Sequence, residues 1–343
     1  MSLTMIKIDQ PYVPAKAQVE RFVRDLDALV KPDDPIGVAV SGGPDSLALL
    51  LLAAAARPGK VKAATVDHGL RENSRDEAEM VAALCAKMGI PHEILTVEWK
   101  QKPVTAIPAR ARLHRYRELA QWARAEGIKA LLTAHHQEDQ AETLLMRLRR
   151  GSGIRGLASM RWKVTVPGSD ESLVRPLLGW GREELRTLVT EAGLEPVEDP
   201  TNSDPQFERA RVRKIVSETD WLDSRVLAQT ALNLADADAA LRWAAGEAFK
   251  RSVTMGDGAV TFDPNGLPRE IRRRIVSRLI QRLASEGRGG DLRGRQSDRL
   301  LMALSAGKKA TIRGVLCEGG DAWRFSKAPT RTAKPKAKAK ESA

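Results

Sequence analysis

Six residues, Ser41-Gly42-Gly43-Pro44-Asp45-Ser46, stand between an apolar run of strand length (IGVAVS, 36–41) and an apolar helical stretch beginning near residue 45. Two adjacent glycines permit a turn in which successive backbone N–H groups point into one concavity. The start of the following helix adds unsatisfied donors and the positive end of its dipole. Ser41 and Ser46 contribute hydroxyls, and Asp45 can cap the helix or hold a magnesium ion. Together these features make an anion cradle suited to a phosphate chain. It is not a Walker A loop, because GxxxxGK[ST] is absent and no lysine follows the glycines.

A second group lies in Thr133-Ala134-His135-His136-Gln137-Glu138-Asp139-Gln140-Ala141-Glu142. With a helix starting near Gln137, Asp139 and Glu142 share a face, and His135 sits just ahead of them at a strand end. Clustering such groups is costly, and they suit magnesium coordination, ammonium binding or acid–base work. The ordinary alternative is a solvated helix start that accepts acids for dipole reasons. Zinc is disfavoured, since the spacing is not HExxH and no thiolate is near. Asp67 and His68 close the second apolar run, where adenine and ribose lie in a doubly wound fold; a loop aspartate capping the next helix is the competing reading. Arg147, Arg149, Arg150 and Arg155 surround a Gly-rich turn and suit phosphates, of ATP or of a nucleic acid; a basic helix end with a glycine cap is equally compatible.

The elements that must position these groups follow from periodicity. IGVAVS (36–41), VKAATV (61–66), HEILTV (92–97) and KALLTA (129–134) read as strands, with helices at about 45–57, 74–89, 108–126 and 137–150 between and after them. This alternation predicts an α/β fold with a doubly wound, mainly parallel sheet, whose ligands sit at the carboxyl ends of the strands. Residues 15–30 read as a helix with Phe22, Leu26 and Leu29/Val30 on one face. Residues 151–180 are Gly-rich and then irregular; a helix is expected at 181–193, turn chemistry at 195–205 and a basic helix at 206–217. The Ala/Leu/Arg-rich remainder predicts a smaller, mostly helical second domain, with TIRGVLCEGGDAWRFSKAP (311–329) as a small β-element. The expected boundaries are 1–35 for a helical extension, 36–218 for the catalytic domain, 219–326 for the second domain and 327–343 for a disordered tail with six basic residues against one Glu.

The 343 residues carry a formal charge of +12, which points to a polyanionic partner, while 4% aromatic content argues against a broad base-stacking platform. Two cysteines, Cys85 and Cys317, exclude a disulfide framework and a four-thiolate zinc site. The first residues lack the apolar core of a secretory signal, and no apolar run is long enough to span a membrane, so a cytoplasmic protein is expected.

The hexapeptide resembles the pyrophosphate-binding loop of the N-type ATP pyrophosphatases, whose fold is the adenine nucleotide alpha-hydrolase type. VSGGPDSLALL, VDHGLRENSRDEAE, ARARLHRYREL, TAHHQEDQAETLLMRLRRGSGIRGL, RPLL and EDPTNSDPQFERARVR occur in this order over residues 39–213. That set resembles the tRNA(Ile)-lysidine synthase family. The resemblance implies ATP and Mg²⁺ as cofactors, and an isoleucine tRNA with a CAU anticodon and free lysine as partners. It also implies adenylation of the C2 oxygen of the wobble cytidine, then attack by the lysine amine. It is compatible with a monomer or a homodimer and implies no membrane. On this reading Ser41–Ser46, Asp67, His68 and Arg147 serve ATP, and Asp45 and Asp139 hold the metal. Glu142 or Asp139 receives the lysine ammonium, with His135 and Arg112 at the reaction. Arg115, Arg149, Arg150, Arg209, Arg211 and Arg213 meet the tRNA. Glu138 stands where the family usually has Asp. A related tRNA thiolase needs reactive cysteines, and Cys85 sits at an apolar position of a predicted helix.

Overall fold

The computed structural model describes residues 12–70, 74–99, 107–166, 169–197, 204, 206–284, 292 and 294–329. The expectations for most of the basic tail and for much of the turn at 195–205 lie outside the described residues. The chain divides into two compact units, Met1–Ala235 and Asp236–Ala343.

In the first unit, α1 (Lys16–Asp27) precedes β1 (Ile36–Ala39), α2 (Pro44–Ala56), β2 (Val61–Asp67), α3 (Ser74–Lys87) and β3 (His92–Thr96). Then come α4 (Ile107–Ala125), β4 (Ala130–Leu132), α5 (Gln137–Arg149), α6 (Ile154–Leu157), β5 (Lys163–Thr165) and β6 (Ser172–Val174). Helices α7 (Arg182–Glu191), α8 (Glu208–Ser217) and the start of α9 (Ser224–Ser252) complete it. The sheet order is β3-β2-β1-β4-β6-β5. All neighbours pair in parallel except β5, which is antiparallel at the edge. The direction of winding therefore reverses at β1, between β2 and β4. A crevice opens there at the carboxyl ends of the strands.

Helix α2 is apolar all round, and a helix of that kind must be buried. Leu47 to Ala53 are all inaccessible, enclosed by α1, α7 and the sheet. Phe22 and Leu26 of α1 belong to the same core, and Phe22 meets Trp180 edge-on at 6.4 Å. On the other face, Tyr116, Leu119 and Trp122 of α4 pack over Ala64, Leu131 and Leu173. Gly37 makes that approach possible, because a Cβ there would lie 2.8 Å from the Trp122 ring. Helices on both faces confirm the doubly wound reading. The segment expected to be irregular supplies β5 and β6, each only three residues long.

The second unit contains the rest of α9, then β7 (Val253–Met255), β8 (Ala259–Phe262), α10 (Arg269–Leu283), α11 (Gly294–Ser305), β9 (Lys309–Ile312), β10 (Val315–Glu318) and β11 (Trp323–Lys327). Its helices accompany a five-stranded antiparallel sheet, ordered β7-β8-β11-β10-β9. Ile275 and Leu279 of α10 and Leu304 of α11 share its core with Phe262, Trp323 and Phe325. Asp238, almost wholly buried, accepts from the Arg274 guanidinium at 2.7 Å and so ties α9 to α10.

Candidate active site

The loop after β1 is held open by its own side chains. Gly42 takes a φ of +82°, a left-handed conformation that glycine adopts without strain. Its carbonyl accepts from the Val197 backbone N–H at 2.9 Å, so the chain after α7 closes onto the loop. The Ser46 hydroxyl donates to the Gly43 carbonyl at 2.9 Å and accepts from the Ser41 N–H at 3.1 Å. Pro44 occupies the first turn of α2 with Asp45 beside it. One Asp45 oxygen, Oδ1, is buried with no hydrogen-bond partner.

β4 lies next to β1, and α5 begins directly after it, so its first turn faces α2 across the crevice. His136, at the junction, is 1% exposed. Its Nε2 lies 3.4 Å from Asp45 Oδ2 and 3.6 Å from Asp139 Oδ2, and its Nδ1 lies 2.8 Å from Glu138 Oε2. The His136 backbone N–H also donates to Asp139 Oδ2 at 3.2 Å. Burial by itself pulls the imidazolium down, but Asp139, Asp45 and Glu138 outweigh it and hold its pKa at about 10. Asp139 is opposed by burial yet kept at about 2 by His136, His135, Arg209 and the backbone donor. His136 is thus an internal cation that keeps two carboxylates together against their repulsion.

His135 has the opposite character. Burial pushes its pKa down to about 3, with Asp139 opposing and Arg175, Arg112 and Arg209 reinforcing. Its Nδ1 is 3.0 Å from the Thr133 hydroxyl. At neutral pH it is a neutral imidazole, too weak a base to take a proton from an amine.

Glu142 is 2% exposed and surrounded by guanidinium groups. Arg213 Nε donates to Oε1 at 2.8 Å, Arg182 reaches the same oxygen at 3.4 Å, and Arg209 Nε is 3.2 Å from Oε2. Arg209 also extends to Asp139 Oδ1 at 3.8 Å and donates to the Thr143 hydroxyl at 3.2 Å. Arg209 and Arg213, expected on the tRNA, therefore face the acids from α8. Arg211, on the outer side of that helix, donates to the Gln206 carbonyl.

Other expected residues have partners of their own or are exposed. Asp67 Oδ1 accepts from Gly69 N–H at 2.8 Å and from the Ser74 hydroxyl at 2.7 Å, the geometry of a loop cap. The His68 carbonyl accepts from the Trp99 indole. Arg147 donates to the Gly156 and Ser159 carbonyls at 2.6 and 3.0 Å, so its guanidinium shapes the Gly-rich turn. Arg149 and Arg150 are exposed and both pair with Glu208. Arg115 is exposed on α4. Arg112 donates to the Tyr116 hydroxyl at 3.0 Å.

Sequence reasoning passed over His136, Arg175 and Arg182. The signal for His136 was its place immediately before the helix, where an Asp three residues on can reach back to its N–H. Glu138 uses its extra length structurally, since Oε2 also accepts from the Arg182 backbone N–H at 3.0 Å.

Among the described residues, no three His, Cys, Asp or Glu side chains form a metal cage. Two carboxylates with a free buried oxygen fit magnesium, which keeps waters and substrate phosphates as its other ligands. Both cysteines are inaccessible, and burial pushes each thiol up to about 12. Neither is expected to react with a thiol reagent in the folded chain at about pH 8, and both should react once it is denatured. A rapidly labelled native thiol would contradict this.

Residues 11–219 match the family model of the PP-loop domain. The chain is 46% identical over 312 residues to the tRNA(Ile)-lysidine synthase of Novosphingobium aromaticivorans, covering 90% of this chain and 93% of that protein. It belongs to the tRNA(Ile)-lysidine synthase family. Another family member, from Zymomonas mobilis, is 41% identical over 299 residues, covering 86% of this chain and 89% of that one. Among solved structures, the U34-tRNA thiolase NcsA from Methanococcus maripaludis, with its [4Fe-4S] cluster, superposes with a TM-score of 0.54 at 19% identity. It covers 64% of this chain and 78% of its own, a likeness of fold alone. Among the described residues, no helix is long and apolar enough to cross a membrane.

Proposed function

We propose that the chain ligates free L-lysine to C2 of the wobble cytidine in the CAU anticodon of an isoleucine tRNA, at the expense of ATP, in the cytoplasm. The C2 oxygen attacks the α-phosphorus and pyrophosphate leaves. The lysine ε-amine then attacks C2, the C2–O bond breaks, AMP leaves and the amine loses its proton. Family membership supports the reaction, and the convergence of Asp45 and Asp139 on His136 beside the Ser41–Ser46 loop carries the assignment of the site.

The loop's backbone donors and hydroxyls hold the departing pyrophosphate. Asp45 and Asp139 would hold Mg²⁺, which neutralises phosphate charge when bound. Asp139 presents negative charge to the lysine ammonium, and Glu142 holds Arg182, Arg209 and Arg213 in place beside it. His136 positions the acids and His135 stays neutral, so neither imidazole removes the amine's proton. Exposed Arg115, Arg149, Arg150 and Arg211 face solvent and suit the RNA backbone.

The test is incorporation of labelled lysine into unmodified isoleucine tRNA bearing CAU, with ATP and Mg²⁺, against the methionine tRNA with the same anticodon. Incorporation into the isoleucine tRNA alone is expected. Pyrophosphate release without lysine transfer would overturn the choice of nucleophile.

A further inference from the structure

We propose that Arg21, on the N-terminal helix α1, is a positioning residue for the reaction: it holds the turn before α7, and that turn sets the start of α5, where His136 and Asp139 lie. The proposal rests on the assignment of the site above and concerns what keeps its acids in register.

The first N–H groups of a helix have no acceptor within it. Gln137, the first residue of α5, donates its N–H to the Trp180 carbonyl at 3.0 Å. Arg182, the first residue of α7, donates its N–H to Glu138 Oε2 at 3.0 Å. The two helix starts therefore satisfy each other. The Arg182 guanidinium adds a contact to Glu142 Oε1 at 3.4 Å. Glu138 Oε2 is also the oxygen that lies 2.8 Å from His136 Nδ1. A displacement of residues 180–182 is thus passed to Gln137 through one bond and to His136 through another, and His136 contacts both Asp45 and Asp139.

The turn itself is gripped from α1. Arg21 Nη2 donates to the Gly179 carbonyl at 2.7 Å, and Nη1 reaches both Glu184 oxygens, at 2.9 and 3.0 Å. The same guanidinium stands 4.2 Å from the centroid of the Trp180 ring. Asp25, one turn further along α1, accepts from the Trp180 indole N–H at 2.9 Å. A planar guanidinium can meet a carbonyl, a carboxylate and a ring face together; a lysine ammonium is a point charge and does not replace it. Anchoring α1 does not require this arrangement, because Phe22 and Leu26 already lie in the core. The pair with Glu184 alone, part-exposed on both sides, contributes little. The informative contacts are those to Gly179 and Trp180, since Trp180 gives its carbonyl to α5. Catalytic groups need placement to about 0.5 Å, and an error of about 1 Å costs about 10²-fold in rate.

The experiment follows pyrophosphate release from ATP by the full chain with isoleucine tRNA and lysine, well below each variant's own thermal midpoint, so that every variant is folded. Arg21→Ala and Arg21→Lys should each lower turnover at saturating substrate about 10-fold or more, while the Michaelis constant for ATP, set by the loop on α2, stays within about twofold. Lys16→Ala, an exposed change on the same helix, should leave turnover at the parent value. Glu184→Gln removes one of Arg21's anchors and should give an intermediate loss; it keeps the test open if Arg21→Ala fails to fold. In the pair Arg21→Ala with Glu138→Ala, the combined loss should be smaller than the product of the single losses, because the second change cuts a link the first acts through. A lowered thermal midpoint with turnover unchanged would make Arg21 a purely structural contact and overturn the proposal. So would losses that multiply in the double variant, or an equal loss in Lys16→Ala. A parent chain that releases no pyrophosphate removes the reading of the site and this proposal together; an active parent with Arg21 variants of normal turnover removes the proposal alone.

Discussion

Asp45→Asn is expected to lower ATP-dependent pyrophosphate release by about 10³-fold, with little loss of fold. The change is isosteric and removes one negative charge from the first turn of α2. Its structural cost is the helix-dipole contact and one of three acidic neighbours of His136, about 1 kcal/mol together. For a unit of this size that is roughly 2–4 °C of melting temperature. The catalytic cost is far larger. The buried Oδ1 has no partner in the protein, so the carboxylate is kept for something the substrate complex brings. An asparagine offers a neutral oxygen there. The measurement is single-turnover pyrophosphate release, with the thermal midpoint followed in parallel. Release within tenfold of the parent would remove Asp45 from the phosphate chemistry.

The second large effect is expected on stability. Glu142→Ala should destabilise the first unit by about 3 kcal/mol, a fall of roughly 6–12 °C in its unfolding transition. Glu142 neutralises Arg182, Arg209 and Arg213, and their removal from water is tolerable only while it is present. Breaking such a cluster from one side leaves uncompensated buried charge, worth about 3–5 kcal/mol. The lower figure applies, because the arginine side chains remain 24%, 40% and 31% exposed and water recovers part of the loss. Glu142→Ala combined with Arg213→Ala should regain a good part of the deficit, since the second change removes one of the stranded charges. Additive losses in the double variant would show that the pair does not interact. Glu142→Gln keeps the shape and should weaken use of lysine more than use of ATP.

What the sequence disclosed and what it hid divide along physical lines. β1 to β4 were legible because each is an apolar run bounded by turn residues, and the loop after β1 because its glycines, serines and acid serve one purpose. The strands β5 and β6 were not, since three residues near prolines carry no period and are defined by pairing, β6 with β4 and β5 with β6. In the second sheet β7 and β8 were missed for the same reason, being three and four residues long and defined by their neighbours, while the segment 311–329 was legible as a β-element. At the site, Asp45 and Asp139 were found from type and position. Their common partner was not, because the choice between His135 and His136 depends on which way consecutive side chains point where a strand gives way to a helix. Arg209 and Arg213 were assigned to the tRNA, although their i,i+4 spacing beside buried Val212 places them on the inward side and Arg211 on the outward one.

The bond from Val197 to Gly42 bears on how the protein comes into being. A ribosome delivers the glycine loop early and the residue that closes it late, after every strand of the first sheet has emerged. A nascent chain ending before Val197 holds all six loop residues and the first turn of α2, yet lacks the donor that fixes the Gly42 carbonyl. The loop's closing contact is therefore completed only after all six strands of the first sheet have been made. Release of a shortened product yields a chain that carries the loop without its closing contact.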